Sequence, residues 1–81
     1  MITIDISSLY AETGTAKLTD IPVYEDKIKK LTPPGSDVTI TGHGPVWLYL
    51  RLAHALHGIA RILIYDSPVT GPVVIFNHNP R

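Results

Sequence analysis

Apolar and polar residues alternate at the start of the chain, where Ile2, Ile4 and Ile6 are separated by Thr3 and Asp5. A period of two with branched side chains is typical of a strand that buries one face. The next stretch, SSLYAETGTAKLTD, has no clear period, and its glycine favours a turn. The chain therefore begins with one half-buried strand followed by a loop.

Helical spacing begins in the segment DIPVYEDKIKKL, where Tyr24, Ile28 and Leu31 recur at i, i+4 and i+7. This spacing predicts an amphipathic helix whose apolar stripe faces a core. Asp20 is the expected N-cap, and Pro22 falls in the first turn. The following TPPGSD predicts a break in the chain.

The second half predicts one more helix and three strands. VTITG is a short strand, GPVWLYLRLAHALHG is the second helix, and ARILIYD forms a hairpin with PVVIFNH through the turn SPVTG. The order strand, helix, strand, helix, strand, strand predicts a single domain over residues 1–81 of the α/β (α+β) class. We expect a small sandwich with its helices against one sheet and a right-handed parallel crossover through the second helix.

Composition narrows the class of protein. A chain of 81 residues has a thin core, and it contains no cysteine for a disulfide. We therefore expect a homodimer or higher homo-oligomer. A net charge of zero argues against a broad polyanion-binding face, and so against DNA, but leaves room for a local anion site. With no signal-peptide pattern and no long apolar run, we expect a cytoplasmic protein without a membrane partner.

The stretch TGHGPVWLYLRLAH concentrates the residues with special backbone properties. Gly42 and Gly44 permit angles and close approaches that a Cβ would block, and Pro45 is well suited to the first helical position. A strand, a glycine turn and a helix start together form a general anion site. A tight connection that needs glycine for sterics alone explains the same residues, and the sequence leaves both readings open.

The second helix is apolar on more than one side. Its main stripe should pack on the sheet, and it comprises Leu48, Leu52, Ala55, Leu56 and Ile59. Trp47, Leu50 and Ala53 lie elsewhere on the helical wheel. Such a helix is usually buried on more than one side, so subunit packing or a ligand pocket is expected there.

Histidines and one aspartate are the candidate chemical groups. His54 and His57 are three residues apart and should share a helix face, but no third metal ligand is evident. A histidine near a helix C-terminus is also a favourable charge on the last turn. Asp66 ends the strongest strand, so it should lie beside Gly42 at the carboxyl edge of the sheet, although aspartate before Ser-Pro is also common in turns.

The motif GHGPVWLYLRLAH resembles the G-x-G-P-x-W-L-x-x-x-L-A-H signature of the Csx3 family, small CRISPR-associated proteins of type III systems, and the similarity continues through HGIARILIYD and GPVVIFNH. The resemblance implies a ferredoxin-like fold distantly related to domains that sense cyclic oligoadenylates. It also implies a dimeric ring nuclease, a phosphodiesterase that degrades cyclic tetra-adenylate with the aid of Mn²⁺. An older assignment in the family is activity on RNA tails.

Transferred residue by residue, the resemblance gives His57 and Asp66 catalytic places. It gives Gly42, His43, Gly44 and Pro45 the ligand-binding turn, to which Trp47 of the same motif is added. Asp66 would orient the imidazole or hold a divalent ion.

One departure stands out, because the family tends to carry an arginine two residues after the aspartate, where this chain has Pro68. Arg51 and Arg61 are the candidates to replace it. A non-catalytic module that senses or sequesters cyclic oligoadenylate therefore stays open beside the enzyme. An exonuclease or deadenylase acting on linear RNA is a further alternative.

Overall fold

Four strands form one sheet in the spatial order β1-β2-β3-β4 in the computed structural model, which describes residues 1–78. The strands are β1 (Ile2–Asp5), β2 (Asp37–Thr41), β3 (Ile62–Ser67) and β4 (Gly71–Asn77). The helices are α1 (Ile21–Leu31) and α2 (Val46–Leu56), and two short 3₁₀ segments span Ile6–Tyr10 and Leu18–Asp20. The predicted order of strands and helices is confirmed.

Three parallel strands and one antiparallel strand make up the sheet. β1 pairs with β2 and β2 with β3 in parallel, while β4 returns antiparallel to β3 as the predicted hairpin. Both crossovers run between adjacent parallel strands and contain a helix, so α1 and α2 pack side by side on one face. The small α/β sandwich is confirmed.

The ferredoxin-like connectivity implied by the resemblance does not agree with this topology. A ferredoxin-like unit runs β-α-β-β-α-β, whereas in this chain α1 and α2 both precede the hairpin of β3 and β4. The reason lies in the two turns: Gly42 leads directly into a helix, while the short turn after Ser67 permits only an antiparallel return.

The core lies between the helices and the sheet. Val38 and Ile40 of β2 point toward the helices and are buried, while Thr39 between them faces the open side of the sheet. The strands, both helices and the first 3₁₀ segment all contribute to the largest fully buried side chains, which are Ile6, Leu9, Ile28, Ile40, Leu48, Leu52, Leu56, Leu63 and Val38. The predicted stripe of α2 therefore packs on the sheet through Leu48, Leu52, Ala55 and Leu56.

Four local expectations need correction. Leu31 is 51% exposed, because the buried stripe of α1 continues from Ile28 to Thr32, four residues on, which is 3% exposed. Asp20 is the N-cap of α1 but its side chain makes no capping hydrogen bond. Pro45 is the N-cap of α2 rather than its first helical residue, with an extended ψ of 151°. Ile59 follows the end of α2 and is only partly buried.

An apolar groove separates α2 from β4 on the helix side of the sheet. It has a volume of about 280 Å³ and is lined by Ile40, Val46, Tyr49, Leu50, Ala53, Tyr65 and Ile75. Leu50 is 66% exposed, which agrees with the second apolar side predicted for this helix. Neither α1 nor α2 has the length and apolar character that crossing a bilayer requires, and the same holds for every helix within residues 1–78.

Candidate functional site

A cavity of about 240 Å³ lies at the carboxyl ends of the parallel strands, lined by Thr41, Gly42, His43, Asp66 and Pro68. β2 ends at Thr41 and β3 at Ser67, so the residues that follow β2 meet the end of β3 at one edge of the sheet. This edge is where open α/β sheets commonly bind ligands. The predicted juxtaposition of Gly42 with Asp66 is confirmed.

The glycines of the turn are required by contacts within the chain. Gly42 has φ +99°, and a Cβ there would lie 2.1 Å from Oδ1 of Asp5. A Cβ on Gly44 would lie 2.7 Å from Cδ1 of Ile6 and 3.3 Å from the Tyr10 hydroxyl. The expected close approaches at these glycines are therefore present. The groups that approach them belong to β1 and to the 3₁₀ segment that follows it.

Two tyrosines bind the carbonyl groups of this turn from the helix side. The Tyr49 hydroxyl donates to the carbonyl oxygen of Gly42 at 2.7 Å, and the Tyr10 hydroxyl donates to the carbonyl oxygen of His43. Burial raises the pKa of Tyr49 to about 12, and a hydrogen bond with Tyr65 acts in the same direction. Tyr49 therefore stays protonated at neutral pH and remains a donor.

Asp5 supports the other side of the turn. Its Oδ1 accepts hydrogen bonds from the backbone N–H of Ser7 at 2.9 Å and from the Ser7 hydroxyl at 2.7 Å. These two bonds lower the pKa of Asp5, and the nearby His43 imidazole contributes in the same direction. The carboxylate therefore stays ionised beside the turn, where it attracts the protonated form of His43.

His43 and Asp66 are the ionisable side chains among the residues that line the cavity. Both are exposed, so a bound molecule can reach them directly. Pro68 occupies the wall where the family arginine was expected, and no lysine or arginine lines this cavity. The site thus presents one carboxylate and one imidazole but no fixed positive charge.

Gly44, Pro45 and Trp47, also assigned to ligand binding, do not line the cavity. Pro45 sets the direction in which the chain enters α2, and the Leu48 N–H donates to its carbonyl at 3.0 Å. Trp47 is partly buried and packs against the hydrophobic core. The contribution of Pro45 and Trp47 in this structure is to the position of the helix.

His57 lies at the opposite edge of the sheet from Asp66. It is the C-cap of α2, which runs back from the end of β2 to the start of β3. Its extended ψ of 119° takes it out of the helix, so it does not share a helix face with His54 as predicted. One chain therefore does not bring its two predicted catalytic side chains together.

A second histidine, which the sequence analysis left without a role, contacts His57. The rings of His57 and His78 lie 4.6 Å apart, and Phe76 packs against His57 at 5.4 Å. The His78 N–H donates to the carbonyl of Arg61 at 2.7 Å, which fixes its place beside the start of β3. Counting back along the hairpin from its turn would have placed residue 77 opposite Arg61, because the irregularity between Leu63 and Ile64 shifts the register by one residue.

The two arginines considered as replacements for the missing one are engaged elsewhere. Arg51 pairs with Glu25 of α1 at 3.2 Å. Arg61 makes two hydrogen bonds to Asp37, at 2.9 and 2.6 Å, which lower the pKa of that carboxyl. Arg61 precedes β3 and therefore lies on the edge that carries His57.

Residues 1–78 of one chain do not fit a manganese site. Mn²⁺ favours several oxygen and nitrogen ligands, and no three histidine or acidic side chains cluster suitably within residues 1–78. Asp66 alone would supply a single carboxylate. No chemical step is therefore assigned to an ion here.

Comparison with known proteins places the chain in a family. The family model described as "CRISPR-associated protein (Cas_csx3)" matches residues 16–81, a range that includes the glycine turn, His57 and Asp66. A protein of Aquifex aeolicus (strain VF5) named "Uncharacterized protein" is 34% identical over 67 residues, which cover 73% of this chain. The chain spans 60% of that relative's length, and no solved structure matches it significantly. The chain belongs to the CRISPR-associated Csx3 family.

Proposed function

We propose that this protein is a ring nuclease that binds and opens a cyclic oligoadenylate, with cyclic tetra-adenylate as the substrate to test first. By opening the ring it would end signalling in a type III CRISPR system. The observation that carries the proposal is the cavity that brings Gly42, His43 and Asp66 together at the carboxyl edge of the sheet. Membership of the Csx3 family supports it.

The reaction needs few chemical groups. A 2′-hydroxyl of the ring loses its proton and attacks the adjacent phosphorus, and the bond from phosphorus to the 5′-oxygen breaks as that oxygen gains a proton. The product is a linear oligoadenylate with a 2′,3′-cyclic phosphate and a 5′-hydroxyl. An imidazole can move a proton near neutral pH, and backbone N–H groups can stabilise the phosphoryl oxygens.

The opposite positions of His57 and Asp66 require two chains for this chemistry. Four steps along β3 separate the residue at its start, Ile62, from Asp66, a distance of about 13 Å. His57 lies beyond that start, on the side away from the cavity. We propose that the ring binds in the cavity of one chain, beside Gly42 and Asp66, while another chain presents the end of its sheet that carries His57.

A non-catalytic binding module is the second candidate. Pro68 lines the cavity in the place of the expected arginine, so no guanidinium there can pair with a phosphate. A protein of this kind would hold the ring and lower its free concentration without cutting it.

One experiment separates the two functions. Radiolabelled cyclic tetra-adenylate is incubated with the protein, with and without Mn²⁺, and the products are resolved by gel electrophoresis while retention is measured on filters. Conversion to a linear product supports the nuclease, and retention of the intact ring supports the binding module. The absence of both, together with shortening of a labelled linear oligoadenylate, would replace the proposal with a nuclease for RNA ends.

A further inference from the structure

The glycine turn is held by hydroxyl groups from two different parts of the chain. Tyr10 ends the 3₁₀ segment Ile6–Tyr10, and Tyr49 lies in the first turns of α2. Their hydroxyls donate to two consecutive carbonyls, those of His43 and Gly42 respectively. Each of the two peptide groups is therefore fixed in orientation by a side chain.

Peptide geometry determines where the corresponding N–H groups point. In a trans peptide the N–H is directed opposite to the carbonyl of the same unit. Because the Gly42 carbonyl faces Tyr49, the His43 N–H faces away from it, and it donates to no acceptor within residues 1–78. The Gly44 N–H, by contrast, faces the Tyr49 oxygen. The Tyr49 hydroxyl thus contacts both peptide groups of the turn.

The Tyr49 ring is itself fixed by packing. It lies 4.9 Å from the ring of Tyr65, which projects from β3 toward the helices. Tyr65 pairs in register with Ile40 of the central strand, so the contact connects the turn to the sheet. The contact with Tyr65 on the sheet therefore holds the ring and hydroxyl of Tyr49 in place.

We infer that Tyr49 is a positioning residue that directs the His43 N–H into the cavity as a donor for a phosphoryl oxygen. The inference rests on the proposed function, because it assigns the anion of that ligand to this turn. Tyr10 acts on the neighbouring carbonyl and assists. Tyr49 does not touch the ligand and acts through the orientation of the peptide group between Gly42 and His43.

The chain offers a matched control for the loss of one tyrosine hydroxyl. Tyr24 is buried in the core, where its ring packs against that of Tyr10, and its hydroxyl accepts a hydrogen bond from the Lys17 N–H at 3.0 Å. Tyr24→Phe keeps the ring and removes a hydroxyl that bonds Lys17 rather than the turn. Tyr49→Phe removes one that orients the turn.

The test follows the His43 amide by NMR during titration with inorganic phosphate, and measures affinity for cyclic tetra-adenylate by calorimetry. We expect phosphate to shift the His43 amide signal in the parent and in Tyr24→Phe, and to shift it much less in Tyr49→Phe. Affinity for the ring should fall about two- to tenfold in Tyr49→Phe, the range of one hydrogen bond.

The outcomes separate this inference from the proposed function. If the parent neither binds nor cuts the ring but its His43 amide responds to phosphate in a Tyr49-dependent way, the proposed function fails and the inference stands. If the parent amide ignores phosphate, or if Tyr49→Phe responds as Tyr24→Phe does, the inference is overturned whatever the ring assay shows.

Discussion

His57 and Asp66 lie at opposite ends of the parallel strands, although both belong to the second half of the chain. His57 lies near the start of β3, and Asp66 lies near its end. α2 carries the chain away from the cavity to His57, and β3 brings it back to Asp66. A single phosphate bound beside Asp66 is therefore out of reach of the same chain's His57. If both residues serve one reaction, the working unit contains at least two chains.

Truncating either residue should slow the chemical step. We expect His57→Ala and Asp66→Ala to lower turnover of cyclic tetra-adenylate by about 10²–10⁴-fold, the usual contribution of a positioned proton-transfer group. Binding should change much less. Single-turnover rates at saturating enzyme measure the effect, with His54→Ala as the control because His54 is exposed on α2. If His57→Ala turns over the ring at the parental rate, His57 takes no part in the chemical step and only caps the end of α2.

Mixing the two inactive variants should restore activity. In an assembly where the His57 edge of one chain meets the Asp66 edge of another, His57→Ala and Asp66→Ala chains together form some intact sites. Random mixing in equal amounts should recover about a quarter of the parent rate. The rate of the mixture, measured over a dilution series, reports this directly. A mixture as inactive as its components would contradict a site shared between chains.

The sequence predicted the edge of the sheet that carries the cavity, because strand ends can be read from local patterns. The alternation in VTITG and the apolar run in ARILIYD place Gly42 and Asp66 at the ends of two parallel strands. The separation of His57 from Asp66 also follows from this topology, since a crossover helix spans the sheet from edge to edge. The resemblance to the family gave both residues one role but carried no geometry.

The contacts that shape the turn could not be predicted in this way. Gly42 meets Asp5, and Gly44 meets Ile6 and Tyr10, across more than thirty positions of the chain. No periodicity connects residues so distant, and they become neighbours only because β1 pairs with β2. The role of Tyr49 could not be predicted either, because the helical pattern shows only that it lies beside the buried stripe and not that its hydroxyl contacts the turn.

Replacing Gly42 and Gly58 by alanine, one at a time, separates the cost of backbone strain from the cost of a steric contact. Gly42 and Gly58 have similar φ values, +99° and +94°, but only Gly42 has a neighbour in the space of the missing Cβ. Each Gly→Ala change should cost about 1–2 kcal/mol for its left-handed backbone. Gly42→Ala should cost about 1 kcal/mol more, because Asp5 must move and its capping bond to Ser7 weakens.

Urea unfolding measures these free energies. In an Asp5→Ala background most of the steric part should vanish, because only the Ile6 backbone nitrogen then lies close to the added Cβ, at 3.3 Å, and the cost of Gly42→Ala should approach that of Gly58→Ala. Equal costs of the two changes in the parent background would show that the Asp5 contact is readily relieved.

Alkaline pH should weaken the fold through Tyr49. Its pKa is raised from 10.0 to about 12, chiefly by burial, so the folded state keeps a proton that the unfolded state loses. The stabilisation is complete below pH 10 and is lost progressively as pH rises to about 12. The fall in the free energy of unfolding across this window should be smaller in Tyr49→Phe than in the parent. Identical pH profiles for the two proteins would exclude this contribution.

Restoring an arginine beside Asp66 should strengthen ligand binding. Pro68 is exposed and lines the cavity, so a longer side chain at this position has room to reach a bound ligand. A guanidinium at this place gives the cavity a positive charge and a partner for phosphate. A hydrogen bond to a charged group contributes about 1.5–3 kcal/mol, so we expect Pro68→Arg to raise affinity for cyclic tetra-adenylate by about tenfold or more.

Pro68→Ala separates this effect from the loss of the proline ring, and calorimetric titration at two salt concentrations checks that the gain is electrostatic. The gain should shrink at the higher salt concentration, because screening weakens an exposed ion pair. If Pro68→Arg also raises the cleavage rate at saturating ligand, the guanidinium stabilises the transition state as well as the bound ring. Equal affinities for Pro68→Arg and Pro68→Ala would show that the ring's phosphates do not reach this wall of the cavity.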